Sequence, residues 1–134
     1  MNNTVEFPPD EKYIDLICRL QEINDNKRHL KLTTGNCGIF AIALKKIFND
    51  GELLNLQNCC HILYMRNGKI YDGEALYQSI EDLKDSEWGD YMKKIETIPI
   101  LDKDIEMHIK DLTNYNMEPE EFIEIIKDIL QIGD

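Results

Sequence analysis

Two segments in the first fifty positions carry apolar residues at the spacing of a helix. The first begins at Pro8-Pro9-Asp10, where the prolines stop the preceding structure and Asp10 can cap a helix. Its apolar side chains recur every three or four positions: Ile14, Ile17, Leu20 and Ile23. The pattern predicts an amphipathic helix, which Asn24-Asp25-Asn26 ends.

The second segment is apolar at most positions between Cys37 and Phe48, and it follows the polar turn Thr33-Thr34-Gly35-Asn36. It predicts a buried helix whose first residue is Cys37. Asn49-Asp50-Gly51 ends this helix, and Gly51 suits the left-handed conformation that often follows a helix.

The hydrophobic period then changes, and three short segments predict strands: Glu52–Leu56, Cys60–Met65 and Lys69–Asp72. Asn67-Gly68 separates the last two. This dipeptide is typical of a tight β-hairpin because both residues tolerate a positive φ. We therefore expect the second and third strands to pair with each other.

After Gly73 the pattern becomes mostly helical again. Ser79 with Asp82 predicts the capped start of a short helix, and Lys94 to Ile98 predicts a strand closed by Pro99.

Two further helices are expected near the C-terminal end of the sequence, over Asp102–Leu112 and Pro119–Ile132. The second is strongly amphipathic. A length of 134 residues suits one domain. We expect residues 1–134 to form a single α+β domain, with a helix packed on a small antiparallel sheet and additional C-terminal helices.

The net charge of −11 lies almost wholly in the second half of the chain. Residues 1–71 hold nine Lys/Arg and eight Asp/Glu, whereas residues 72–134 hold six and eighteen. Direct binding to nucleic acid is not expected, because phosphates require a basic face. The acidic half is interpreted either as a solvated surface or as a surface for a basic protein partner.

No apolar run approaches the length of a membrane span, and the first residues lack the features of a signal peptide. A cytoplasmic protein is expected, with no membrane association and no disulfides. A metal site from Cys37, Cys59, Cys60 and His61 does not match a known zinc spacing. No metal or other cofactor is therefore expected.

Cys37 is the strongest candidate for chemistry in the sequence. Free N–H groups at a helix N-terminus carry partial positive charge, which lowers a thiol pKa and favours the reactive thiolate. The small neighbours Asn36 and Gly38 leave room for a substrate. The free N–H groups at this helix N-terminus can also bind a developing oxyanion.

The predicted hairpin supplies a base and a group to orient it. If Asn67-Gly68 occupies the two central turn positions, His61 faces Glu74 and Leu63 faces Asp72. Asp72 then lies diagonally across from His61 on the same face, about 7–8 Å away at the backbone. A change of one residue in the loop would separate the two side chains.

These segments resemble the papain-like cysteine peptidase and transglutaminase-like superfamily, in particular its short bacterial and phage-type members. The resemblance rests on Gly35-Asn36-Cys37-Gly38, then His61, then Tyr71-Asp72-Gly73, in the order Cys, His, Asp. It implies that Cys37 is the nucleophile, His61 the general base and Asp72 the orienting residue. Larger members often place a Gln six residues before the nucleophile, where this sequence has Lys31. The resemblance therefore leaves Asn36, Thr34 or backbone N–H groups such as that of Gly38 as the candidate oxyanion or substrate-binding groups.

The resemblance implies a cysteine hydrolase or acyl-transferase that acts on a protein or peptide substrate through a thioester intermediate. Peptidase, deamidase and transglutaminase-type reactions all remain open. A second hypothesis assigns the chain the same fold but no catalytic activity. In it, the chain is a non-catalytic acidic binding or inhibitor protein that engages a basic protein partner.

Overall fold

A computed structural model describes residues 6–26, 37–56, 61–73, 75–86, 95–98, 102–113 and 119–132. For Cys37 it describes the backbone only. The elements form a mixed α+β arrangement of five helices and one five-stranded antiparallel sheet within these residues. The predicted α+β class is confirmed.

The described helices lie close to the predicted positions. Their bounds are α1 Asp10–Asn26, α2 Cys37–Phe48, α3 Ile80–Lys84, α4 Lys103–Thr113 and α5 Pro119–Leu130. The predicted cap of α3 is confirmed, because Ser79 Oγ accepts a hydrogen bond of 3.1 Å from the Asp82 N–H. Asp102 caps α4 in the same way, accepting a bond of 2.9 Å from the Ile105 N–H.

The sheet contains one strand that the sequence pattern did not predict. Its strands are β1 Glu52–Leu56, β2 His61–Arg66, β3 Lys69–Tyr71, β4 Leu76–Tyr77 and β5 Ile95–Ile98, in the spatial order β4-β3-β2-β1-β5. The two-residue β4 was missed because it is too short to show alternation. The long-range pairing of β5 with β1 puts the hairpin strand β2 at the centre of the sheet.

The two faces of the sheet are buried by different parts of the chain. Leu53, Ile62, Tyr64 and Tyr71 face a core built mainly from α1, α2, α4 and α5. The intervening residues face a second core that includes Leu83 of α3: Leu54, Leu56, Leu63 and Ile70. Burying each such side chain contributes roughly 1.5–3 kcal/mol. We call these faces the α2 face and the α3 face.

The turn after α2 fixes the direction of that helix relative to β2. The Asp50 carbonyl accepts a hydrogen bond of 2.8 Å from Tyr64, and the Asp50 carboxylate contacts the Arg66 guanidinium at 3.0 Å. The C-terminal end of α2 therefore lies beside the last residues of β2. A 12-residue helix is about 18 Å long and a six-residue strand is about 20 Å long, so the first residue of α2 points toward the His61 end of β2.

Two residues act differently from the predictions made for them. Asn49, with φ 56°, takes the left-handed position directly after α2, while Gly51, with φ 78°, opens β1. Asp10 is the first helical residue of α1, and its carboxylate contacts Lys69 Nζ at 2.9 Å and Gln78 Nε2 at 3.2 Å. That carboxylate therefore ties α1 to β3 and the β4–α3 turn.

Candidate functional site

A buried histidine–carboxylate pair lies at the end of the sheet toward which α2 points. His61 Nε2 and Asp72 Oδ2 are 3.3 Å apart. The two residues are only 1% and 3% exposed. The proximity that the hairpin register predicted is confirmed.

The hairpin turn is the local cause of this contact. Asn67 and Gly68 have φ 54° and 80°, and they connect β2 to β3 with the pairs Arg66↔Lys69, Met65↔Ile70 and Tyr64↔Tyr71. This is the register that the sequence predicts. Asp72 directly follows β3 and shares the alternation of Ile70, so it lies on the same face as Leu63 and His61.

Three further hydrogen bonds hold Asp72. Its Oδ1 accepts from the Gly73 N–H at 2.6 Å, and its own N–H donates to the Ala75 carbonyl at 2.9 Å. Its carbonyl accepts from the Tyr13 hydroxyl at 2.6 Å. Both the backbone and the carboxylate of Asp72 are therefore fixed in position relative to the His61 ring.

Tyr13 was not identified as a site residue from the sequence. It is fully buried on α1, and its ring packs edge-on against Tyr71 with centroids 4.8 Å apart. Burial, and then the charge of Asp72, raise the pKa of Tyr13 well above its ordinary value, so its hydroxyl stays a hydrogen-bond donor. The helical pattern of the sequence places Tyr13 beside the apolar Ile14. That pattern does not reveal that the hydrogen-bond partner of Tyr13 lies 59 positions away.

The contact with Asp72 defines how the imidazole can act. In the neutral ring one nitrogen carries the proton and the other carries the lone pair. When Nε2 donates its proton to the carboxylate, Nδ1 is the basic nitrogen. Asp72 therefore favours the tautomer in which Nδ1 can take a proton.

The nucleophile candidate lies at the first position of α2. Cys37 begins the helix as predicted, and its side chain lies outside the described part of the structure. Gly38 is buried in the first turn. The other oxyanion or substrate-binding candidates, Asn36 and Thr34, lie outside the described residues.

The alternation of β2 restricts how a thiol on α2 can meet the imidazole. His61 pairs with Leu56 and shares the α3 face with Leu63, whereas α2 packs on the opposite face, over Ile62 and Tyr64. His61 is the first residue of β2, and Leu56 is the last residue of β1. A thiol at the first turn of α2 therefore has to approach His61 around these strand ends.

Of the remaining candidates for chemistry, those within the described residues lie on the surface. Cys59 and Cys60 lie outside the described residues, Cys18 is exposed on α1, and His108 is exposed on α4 as expected. Within the described ranges, no three His, Cys, Asp or Glu side chains are grouped closely enough to hold a metal ion. None of the helices in those ranges is both long and apolar enough to span a membrane.

Comparisons with known proteins give one match. The comparison with curated proteins and the comparison with solved structures found no match. The family model described as Phage YunG-like protein matches residues 16–117, which include α2 and the whole sheet. This match covers about three quarters of the chain, and the chain therefore belongs to the Phage YunG-like protein family.

Proposed function

We propose that this protein is a cysteine hydrolase or acyl-transferase of the papain-like type, acting on an amide bond of a protein or peptide. Cys37 is the nucleophile, His61 the general base and Asp72 the residue that orients the base. The observation that carries the proposal is the buried contact of 3.3 Å between His61 and Asp72.

The burial of this pair favours chemistry over stability. A buried ionisable pair loses the hydration of both groups, and well-packed apolar residues of similar volume often stabilise a protein equally well or better. Here the two side chains are 1% and 3% exposed, and Asp72 is held by additional hydrogen bonds. Titratable groups arranged in this way are enriched at catalytic sites.

The proposed reaction has two steps. His61 Nδ1 takes the thiol proton, and Cys37 Sγ forms a bond to the carbonyl carbon of the substrate. The carbon–nitrogen bond then breaks, and the proton on His61 passes to the leaving amine. Water attacks the resulting thioester and releases the acid and the thiol, whereas an amine in place of water makes the reaction an acyl transfer.

Alkylation of the thiols tests this assignment directly. Near pH 6, where ordinary thiols are almost wholly protonated, iodoacetamide should modify Cys37 before Cys18, Cys59 or Cys60. His61→Ala should slow the alkylation of Cys37 about tenfold for each unit by which the thiol pKa rises. His108→Ala is the matched control, because this histidine is exposed on α4 and should leave the rate unchanged.

Peptide mass spectrometry gives the order of labelling in each protein. If another cysteine reacts before Cys37, the nucleophile assignment is wrong. If Cys37 reacts first and His61→Ala does not slow it, then the helix N-terminus alone activates the thiol, and the proposed thiol–imidazole contact around the strand ends is absent.

The second candidate function is binding of a basic protein partner without catalysis. It is favoured by an exposed acidic stripe along α5, formed by Glu120, Glu124 and Asp128 with Glu121 beside it. Residues four apart lie on one face of a helix, where like charges repel each other. A Cys37 thiol that reacts no faster than Cys18 would favour this function over the first.

A further inference from the structure

Asn55 is a buried amide with an unused acceptor. It lies on β1 and is only 6% exposed. Its Oδ1 has no hydrogen-bond partner among the described residues. Leaving such an acceptor unpaired costs free energy, so an unpaired group in a folded protein calls for a physical explanation.

The position of Asn55 places this acceptor on the α2 face. Asn55 shares the alternation of Leu53, which packs in the core beneath α2, and it pairs with the buried Ile62 of β2. It is one residue from the end of β1, at the end of the sheet toward which the N-terminus of α2 points. The acceptor therefore faces the region of the first turns of α2.

The strand beside Asn55 is more exposed in the row of Asn55 than in the row of Leu53. Asn55 of β1 pairs with Glu96 of β5, which is exposed. Leu53, two positions before Asn55 on β1, pairs with Ile98 of β5, which is half-buried. Oδ1 itself has almost no exposed surface, so a ligand group approaching from the Glu96 side reaches it only when the side chains that cover it move aside.

We propose that Asn55 binds the substrate of this protein, with Oδ1 accepting a hydrogen bond from the N–H of the substrate amide. The inference rests on the proposed function and adds to it a residue that binds the substrate amide and discriminates against esters. An amide carries the N–H that satisfies Oδ1, whereas an ester or thioester with the same acyl group does not. The site therefore prefers amides, as a peptide or side-chain carboxamide, over esters.

Binding of a matched amide and ester tests the inference. The probes are benzamide and methyl benzoate, which share their acyl group, and only the amide carries an N–H. Titrations of full-length Cys37→Ala protein, followed by NMR, should show that the amide binds more tightly than the ester. Asn55→Leu in the same background should abolish that preference, with a loss of about 5- to 150-fold in amide affinity for one lost hydrogen bond.

Two further variants keep the result interpretable. Asn55→Ala repeats the test with a smaller side chain in case leucine does not fit, and the amide-to-ester ratio is taken within each variant. Thr97→Ala is the control, since Thr97 is exposed on β5 beside Leu54 and should leave the ratio unchanged. Removing an unpaired buried acceptor should also leave the melting temperature of Asn55→Leu unchanged or raised.

The outcomes separate this inference from the proposed function. If neither probe binds, or if Asn55→Leu keeps the preference for the amide, the role of Asn55 is overturned. If the preference depends on Asn55 but Cys37 is not the most reactive thiol in the wild-type protein, the amide site stands and the cysteine hydrolase fails.

Discussion

The two ends of the central strand β2 use their polar side chains in opposite ways. At the Arg66 end, the side chains contact one another and remain in reach of water: Asp50 accepts from Tyr64 and pairs with Arg66. At the His61 end, a histidine and a carboxylate are paired away from water, and Asn55 is buried with an unused acceptor.

Under the proposed function, this difference separates polar groups that stabilise the fold from polar groups that take part in binding or catalysis. Partly exposed ion pairs are easy to accommodate and contribute little to the free energy of unfolding. Buried and incompletely satisfied groups reduce stability, so their presence at one end of the sheet is consistent with the proposed function. The comparison predicts that substitutions at the His61 end change activity, and that substitutions at the Arg66 end change stability.

The largest expected effect is that of Asp72→Asn. This change keeps the size of the side chain and removes the charge that fixes the His61 tautomer. We expect kcat/KM for hippuryl 4-nitroanilide to fall by about 100-fold or more, which is the range of a general base that is lost or misdirected. Asp128→Asn, on the exposed face of α5, is the control.

Turnover and far-UV circular dichroism are measured on the same samples. A folded Asp72→Asn protein with full activity would show that Asp72 only packs against His61. The two ends of β2 would then no longer differ in function.

The second-largest expected effect is a loss of stability at the Arg66 end of β2. Gly51 has φ 78°, and a Cβ there would lie 2.7 Å from the Met65 carbonyl oxygen. Gly51→Ala should therefore lower the free energy of unfolding by at least about 1–3 kcal/mol, the cost of backbone strain at one residue.

Urea titration measures that loss, and the rate of Cys37 alkylation under native conditions should remain that of the wild type. Gly68→Ala is the matched control, because Gly68 has φ 80° but a Cβ at this position would have no atom of the described residues within 4 Å. Gly68→Ala should therefore have the backbone strain of a positive φ without a steric clash at Cβ, and should lose less stability than Gly51→Ala. An equal loss in both variants would show that the close approach at Gly51 does not matter.

The smallest effect is a dependence of stability on alkaline pH. Burial raises the pKa of Tyr13 well above that of a tyrosine in the unfolded chain, which is about 10. Above pH 10 the unfolded chain loses this proton and the folded protein keeps it, so the stabilisation is complete below pH 10 and is lost as the pH rises. Tyr13→Phe should reduce the slope of the free energy of unfolding against pH, above pH 10, by up to about 1.4 kcal/mol per pH unit.

Unfolding by urea at pH 9, 10 and 11, followed by circular dichroism, gives this slope. Tyr64 and Tyr71 also have raised pKa values because they are buried, so the slope should decrease without vanishing. A slope that does not change in Tyr13→Phe would mean that Tyr13 ionises equally in both states.

The sequence predicted the parts of the site that depend on neighbours along the chain. Asn67-Gly68 defines the hairpin through backbone preferences alone, and the register then brings His61 and Asp72 together. The start of α2 at Cys37 follows from a polar stretch of sequence before an apolar run. The cap at Ser79 follows from a local motif in the same way.

The rest depends on contacts between distant segments, which no local pattern encodes. The hydrogen bond from Tyr13 to Asp72, the tertiary role of Asp10 and the pairing of β5 with β1 all join residues at least 39 positions apart. Asn55 was missed because an asparagine within an apolar strand looks like an interruption. Only the sheet shows that it faces inward with an unused acceptor.

The bond between Tyr13 and Asp72 also has a consequence for how the protein folds. His61 and Asp72 are 11 positions apart, so the hairpin can bring them together early, at a small cost in chain entropy. Tyr13 and Asp72 are 59 positions apart, and contacts between such distant segments form slowly. We expect the histidine–carboxylate pair to assemble first as a loose hairpin and to become fixed only when α1 docks, so that an incompletely folded chain remains inactive.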